Sequence, residues 1–449
     1  MQKVNVGEVI NESKITEFHK VLLILCCCLA FFDGFELGLP GPIGPVLIKE
    51  WSLLPVVFGS LVSYGSFGMI LGALMTGLLS DRIGRKNVLI TSAFLYSFFT
   101  LMGGFSTGPT DFGIYRFIAG MGMGGIVPTV VGLTTDYSPK RTRNFYVTLV
   151  TTSIALGATV TPLISVFVIP DFGWRVLFYI GGLPLLVLPF VIKFLPEAPI
   201  ILVKKGQFDK LSDILNRLSF GKIYRSDDQY EMEAKNENKV PFIALFQNKR
   251  ALSSTLIWNT YFFLYMVNFG LVAWLPSLMV QAGYPLGSSL LFGFVIGFGG
   301  LLGSLFGGKI ANKTGLKTVV ISSFILGALG LMFLGYKFSS ATLLYIVLFI
   351  AGWGTNSAQN LYTAFVSQFY PTEIRATGLA FGMIWGRVGS FFGPIMGGLL
   401  LQMNLSIVLC FLVFGGLALI GAVSTLGITD RSKLRNVNIG KTGESTLQN

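Results

Sequence analysis

The chain has 449 residues and a formal net charge of +12, with 52% apolar and only 12% charged residues. Soluble domains carry about 25% charged residues, so this composition excludes a string of soluble domains. Nucleic-acid recognition is excluded as the cause of the basic balance, because the charge is spread among short polar segments instead of one patch.

A polar opening, residues 1–20, leads into apolar runs at 21–47, 56–79, 88–105, 112–133, 145–169 and 176–194. A polar stretch at 195–250 follows, and then runs at 252–279, 290–310, 318–334, 341–366, 378–401 and 405–428. Each run is near the ~20 residues a helix needs to cross a bilayer core. The pattern predicts an all-α membrane protein with about twelve transmembrane helices and the lipid bilayer as its surroundings. Its expected parts are an N-terminal tail (1–20), a six-helix half (21–194), a linker (195–250), a second six-helix half (251–428) and a tail (429–449). Of the 33 Lys and Arg, 27 lie in the tails, the linker and alternate connections, against three (Lys49, Arg175 and Lys337) on the other side. The positive-inside rule then places both termini in the cytoplasm of a plasma (inner) membrane protein. The first run carries two acids and no small-residue cleavage site, so it is expected to stay as the first helix. Cys26, Cys27, Cys28 and Cys410 lie within apolar runs and read as buried thiols. The single histidine, His19, falls outside the runs and reads as a solvated residue. One histidine does not furnish the catalytic set of a membrane enzyme, so no enzymatic activity, metal or cofactor is expected.

The chain repeats itself at an offset of about 231 residues. Gly77–Lys86 aligns with 308–317, Phe117-Ile-Ala-Gly-Met-Gly122 with Phe349-Ile-Ala-Gly-Trp-Gly354, Pro139 and Arg143 with Pro371 and Arg375, and Gly157 and Pro162 with Gly389 and Pro394. The two halves are therefore an internal duplication. The charge-rich run 225–239 between them reads as solvated linker with some amphipathic helix.

Between the second and third runs stands Gly77-x-x-x-Asp81-Arg82-x-Gly84-Arg85-Lys86. Its glycines permit a tight turn. Asp81 is expected to accept from a helix N-terminus or a guanidinium, as a lock that closes the cytoplasmic side. Asp136, at the end of the fourth run, fits either the lock or a more direct role. The second copy has Asn312 and Lys313 in place of the acid and first arginine, and so a weaker lock.

This string resembles the signature of the major facilitator superfamily, as does Arg116-x-x-x-Gly120-x-Gly122-x-Gly124. The run Ile10-Asn-Glu-Ser-Lys-Ile-Thr-Glu-Phe18 and then Phe32-Asp-Gly-Phe-Glu36 resembles the aromatic acid:proton symporters, as do Leu195-Pro-Glu197, Trp274-Leu-Pro276, Tyr370–Gly378 and Gly386-Arg387. The resemblance spans nearly the whole chain and implies the facilitator fold. Glu36 stands where that family usually has aspartate.

Few formal charges lie inside the runs, and a charge there marks a functional position by default. Asp33 and Glu36 are three apart and share a helix face. At the helical rise, Asp33 lies roughly 18 Å and Glu36 roughly 22 Å into the first run. A carboxylate at such depth, its affinity for protons raised by desolvation and lowered by a nearby arginine, can carry a coupling proton. Arg387 and Arg116 suit a substrate carboxylate, which a guanidinium grips with two hydrogen bonds. The alternative for Arg116 is a brace to Glu36 between the first and fourth helices. Asn356 and Asn360, with Gln359, Tyr362 and Asn268, fit cavity lining or helix–helix contacts alike. Phe35, Trp353 and Trp385 fit ring stacking or packing. The expected function is proton-coupled import of a small organic anion, an aromatic carboxylate such as a benzoate, by alternating access around a central site in a monomer. Other facilitator substrates, such as non-aromatic acids or sugars, form the alternative. A drug:proton antiporter is disfavoured because the Gly-x-x-x-Gly-Pro string lies at Gly389–Pro394 and not near Gly157. A non-transporting sensor should lack the paired acids.

Overall fold

The computed structural model describes residues 3–219, 223–232, 242–247 and 250–428, with the Asp81 side chain outside the described set. The tail 429–449 and part of the charged run 225–239 also lie outside it. The chain divides into two compact units, Met1–Asn236 with Val272–Phe294, and Glu237–Leu271 with Val295–Asn449.

The first unit opens with β1 (Lys3–Asn5), α1 (Val6–Glu12), α2 (Glu17–Gly38) and α3 (Pro40–Glu50). Then come α4 (Pro55–Ile83), α5 (Arg85–Gly103), α6 (Pro109–Tyr137), α7 (Arg143–Phe172), α8 (Arg175–Gly181) and α9 (Pro184–Phe194). After them lie α10 (Pro199–Lys204), α11 (Phe208–Leu218) and β2 (Gln229–Glu231). The remaining helices are α12 (Ala251–Gln281), α13 (Leu286–Thr314), α14 (Leu316–Leu334), α15 (Ala341–Phe369), α16 (Arg375–Gln402) and α17 (Ile407–Leu426). Helices α12 and α13 each contribute to both units.

Eleven segments among the described residues are long and apolar enough to span a membrane, α8 and α9 together making one of them. The twelfth is α5. It begins on Arg85-Lys86-Asn87 and carries Ser92, Tyr96, Ser97 and Thr100, polar residues that hold it below the apolar level of the others. The first apolar run is broken where Pro40 and Pro42 follow Leu39. Proline has no N–H to give the helix, so the Glu36 carbonyl accepts from the Leu39 N–H instead (3.2 Å). Glu36 thus sits at the joint between α2 and α3.

The opening segment is docked, not free. β1 pairs in parallel with β2, Lys3 opposite Gln229 and Asn5 opposite Glu231. Helix α11 is amphipathic and buries Leu211, Leu215 and Leu218, spaced to form one face. Val4, Val6 and Ile10 are buried in the same cluster. Three apolar residues in a polar tail are what make it dock. The Asn11 carbonyl accepts the Lys140 N–H (3.2 Å) and its Oδ1 accepts from Arg143 (2.6 Å).

His19 overturns the expectation of a solvated residue. It is 1% exposed. Its Nδ1 accepts the Thr16 backbone N–H (3.1 Å), so the ring proton belongs on Nε2, which donates to the Tyr137 carbonyl (3.1 Å). A polar ring is tolerated there because both nitrogens are used.

The duplication is visible in how helices touch. A side chain on Gly120 would strike the Gly65 carbonyl, and one on Gly352 the Ile296 carbonyl. Gly68 faces Phe117 as Gly299 faces Phe349, and Gly157 faces Phe31 as Gly389 faces Phe262. Each pair repeats at the 231–232-residue offset seen in the sequence, so both units use the same backbone-to-backbone approaches.

Candidate functional site

Helix α6 is wedged between two neighbours by glycines on opposite faces. Gly120 and Gly124 lie against the α4 backbone at Gly65 and Met69, whereas Gly122 lies against α5 at Ser92 and Tyr96. This close seating fixes Arg116, one turn before Gly120, inside the first unit. On α2, Gly34 meets the Ile154 backbone of α7. That contact turns the neighbouring Asp33 and Glu36 away from α7, since positions three apart share a face and position 34 is offset from it.

Asp33 and Glu36 are buried, at 0% and 1% exposure. Arg116 is buried as well and its Nη1 forms an ion pair with Glu36 Oε1. Two carboxyl groups and one guanidinium therefore share the interior of the first unit. A buried charge is tolerated when paired, and Arg116 supplies the pairing for Glu36. Phe35 is fully buried and packs against Phe32.

The loop signature also resolves into specific contacts. Gly84 has φ +103°, a conformation natural to glycine, and it leads into α5. The Glu197 carboxylate lies across this N-terminus and accepts the Lys86 N–H at Oε1 (3.1 Å). Lys86 Nζ donates to the Ile192 carbonyl at the end of α9 (2.6 Å). Arg85 reaches Asp136 (Nη1 to Oδ2, 2.7 Å). Tyr137 donates its hydroxyl proton to the Glu197 carbonyl. Arg82 is exposed, and a side chain on Gly77 would meet nothing within 4 Å. The counterpart Lys317 donates to the carbonyls of Leu426 (3.0 Å) and Ile428 (2.6 Å) at the end of α17. Glu197 was quoted from the sequence only as a pattern match; the distance of 111 residues between it and Lys86 hid its part in this network.

In the second unit, Arg387 is half-buried on α16. Asn356 Nδ2 donates to the Ile296 carbonyl (3.4 Å), and Asn360 Nδ2 donates to Ser304 Oγ (3.0 Å). Gln359 accepts from Asn268 (2.9 Å). The α15 amides thus join α15 to α13 and α12. Trp353 stacks on Phe306, and Trp385 on Trp258. No group of three or more His, Cys, Asp or Glu able to hold a metal occurs among the described residues.

Residues 26–336 and 295–448 match the model of the Major Facilitator Superfamily. The chain belongs to this superfamily. It is 36% identical to the benzoate transport protein of Acinetobacter baylyi, over 96% of this chain and 94% of the relative. It is 34% identical to the 4-hydroxybenzoate transporter PcaK of the same organism, over 88% of each chain. Among solved structures, the inward open xylose transporter XylE from E. coli superposes with a TM-score of 0.71 at 16% identity, covering 92% of this chain and 96% of that one. This facilitator is a transporter and not an enzyme, and its helices are those of the facilitator fold.

Proposed function

We propose that this facilitator is a proton-coupled symporter importing a small aromatic carboxylate, a benzoate or hydroxybenzoate, by alternating access across the plasma membrane. The observation that carries the substrate class is the likeness to a benzoate transport protein along nearly the entire chain. The proton is supported by Asp33 and Glu36, two carboxyl groups buried in the interior of the first unit.

Asp33 is the coupling site in this reading. It takes up and releases the proton as alternating access changes its surroundings. Glu36, paired with Arg116, braces α2 against α6. Arg387 holds the substrate carboxylate through its planar fork. Arg82, Arg85 and Asp136, with Asp81, serve the conformational cycle. The likeness to a xylose transporter supports the fold alone.

The test is competition for uptake of labelled benzoate into proteoliposomes under an imposed inward proton gradient. Benzoate and 4-hydroxybenzoate should compete well, and benzamide and xylose should not. Competition by xylose, or equal competition by benzamide, would overturn the reading.

A further inference from the structure

Helix α5 carries Tyr96, Ser97 and Thr100 at 0%, 0% and 2% exposure. Among the described residues, the Thr100 hydroxyl and Glu36 Oε2 have no hydrogen-bond partner, and the Tyr96 and Ser97 hydroxyls have at most each other. A buried polar atom without a partner costs about 1–3 kcal/mol, so a cluster of under-satisfied polar atoms in one place calls for a reason. They are gathered. Tyr96 lies beside Ser97 and within electrostatic reach of Asp33. Ser97 and Thr100 are three apart on the same helix face. A side chain on Gly181 would stand 2.7 Å from Thr100 Cγ2 and 3.6 Å from Glu36 Oε2, which places Thr100 and Glu36 together under that glycine. The other titratable or charged groups facing this seam are Cys28 on α2 and Arg116 on α6.

The duplicated half supplies the control. At the same offset, Asp33, Glu36, Tyr96, Ser97, Thr100 and Arg116 correspond to Leu264, Val267, Gly327, Ala328, Leu331 and Leu348. Those counterparts are buried too. The fold therefore accepts apolar side chains at every one of these positions. The hydroxyls and the charges occur together in one half and are absent together from the other.

We propose that Tyr96, Ser97 and Thr100 form a buried hydroxyl relay that carries the coupling proton between Asp33 and Glu36 inside the first unit. The inference rests on the symport reading above and adds the route. When the transport cycle brings these groups within hydrogen-bond distance, a proton leaving the Asp33 carboxyl binds a lone pair of the Tyr96 hydroxyl as that hydroxyl releases its own proton onward. Ser97 and Thr100 repeat the exchange, and Glu36 Oε2 takes the last proton. Each hydroxyl ends with the one proton it began with, and one proton has passed from carboxyl to carboxylate. Arg116 holds the receiving carboxylate in place through its ion pair with Glu36 Oε1.

The test uses the full chain in weakly buffered proteoliposomes. External alkalinisation on adding benzoate, less that of protein-free vesicles, reports proton movement; benzoate counterflow reports substrate exchange without net proton flux. Tyr96→Phe and Thr100→Val should each lower proton movement at least on the order of tenfold, given the roughly 10²–10⁴-fold worth of a positioned proton-transfer group. Counterflow should change far less, and Thr100→Ser should restore proton movement. Wild-type proton movement persisting in both variants would overturn the relay alone. Equal loss of counterflow and proton movement would also overturn it, in favour of packing. A wild-type protein that exchanges benzoate but moves no proton would overturn the relay and the symport reading together.

Discussion

Glu36→Gln removes the charge paired with Arg116 in an interior where the two side chains are 1% and 8% exposed. Breaking one partner of a buried pair typically costs about 3–5 kcal/mol, because the other charge stays buried without compensation. At about 2–4 °C per kcal/mol for a unit of this size, the melting temperature of the detergent-solubilised protein should fall on the order of 10 °C. Arg116→Leu should cost a similar amount. The double variant Glu36→Val with Arg116→Leu copies the second unit, where Val267 and Leu348 fill these places. Replacing a whole buried pair by apolar groups is often neutral, so the double variant should regain most of the lost stability, a coupling of about 2 kcal/mol or more. Transport should not return with it, since the proposed relay ends on Glu36. Thermal unfolding and gradient-driven uptake, measured side by side, decide this. Single variants that melt like the wild type, or a double variant as unstable as the sum of the singles, would refute the reasoning.

Gly84→Ala should destabilise more than Gly315→Ala. Both glycines have positive φ, which costs roughly 1–2 kcal/mol with a side chain, but only at Gly84 does the new methyl also strike a neighbour, the Glu197 carboxylate; thermal unfolding of the two variants ranks them. Reporter fusions at Lys205 and Ser339 should read cytoplasmic and external, and a cytoplasmic signal at Ser339 would contradict the orientation. Arg387→Lys keeps the charge and loses the two-pronged fork, so binding of an aromatic carboxylate should weaken by about 1.5–3 kcal/mol. In that variant the matching amide should lose little further affinity, as read by ligand-dependent fluorescence or calorimetry.

Much of the fold was legible in the sequence because a bilayer demands long apolar runs and a duplication repeats its glycines. The offset between Gly84 and Gly315 announced two like units before any contact was known. Local pattern was less informative where function depends on pairing across the chain. Nothing near Asn11 signals its bonds to Lys140 and Arg143, and His19 looked solvated because its partner, Tyr137, is 118 residues away. The same distance effect hid Glu197. Glu36 and Arg116 were visible as rare buried charges, and the structure joins them. The α5 hydroxyls were passed over for a different reason. Serine, threonine and tyrosine are common in membrane helices, so only their burial beside Asp33 and Glu36, set against apolar counterparts in the other half, singles them out.

The central claim is that a proton gradient drives uptake of an aromatic acid, and accumulation in proteoliposomes tests it most directly. Labelled 4-hydroxybenzoate is presented under an inward proton gradient, an inward sodium gradient or none, with protein-free vesicles subtracted because aromatic acids also cross lipid in their neutral form. The account predicts accumulation above equilibrium with the proton gradient alone, its collapse by a protonophore, and its loss in Asp33→Asn with substrate binding retained. Accumulation driven by sodium, or undiminished in Asp33→Asn, would contradict it.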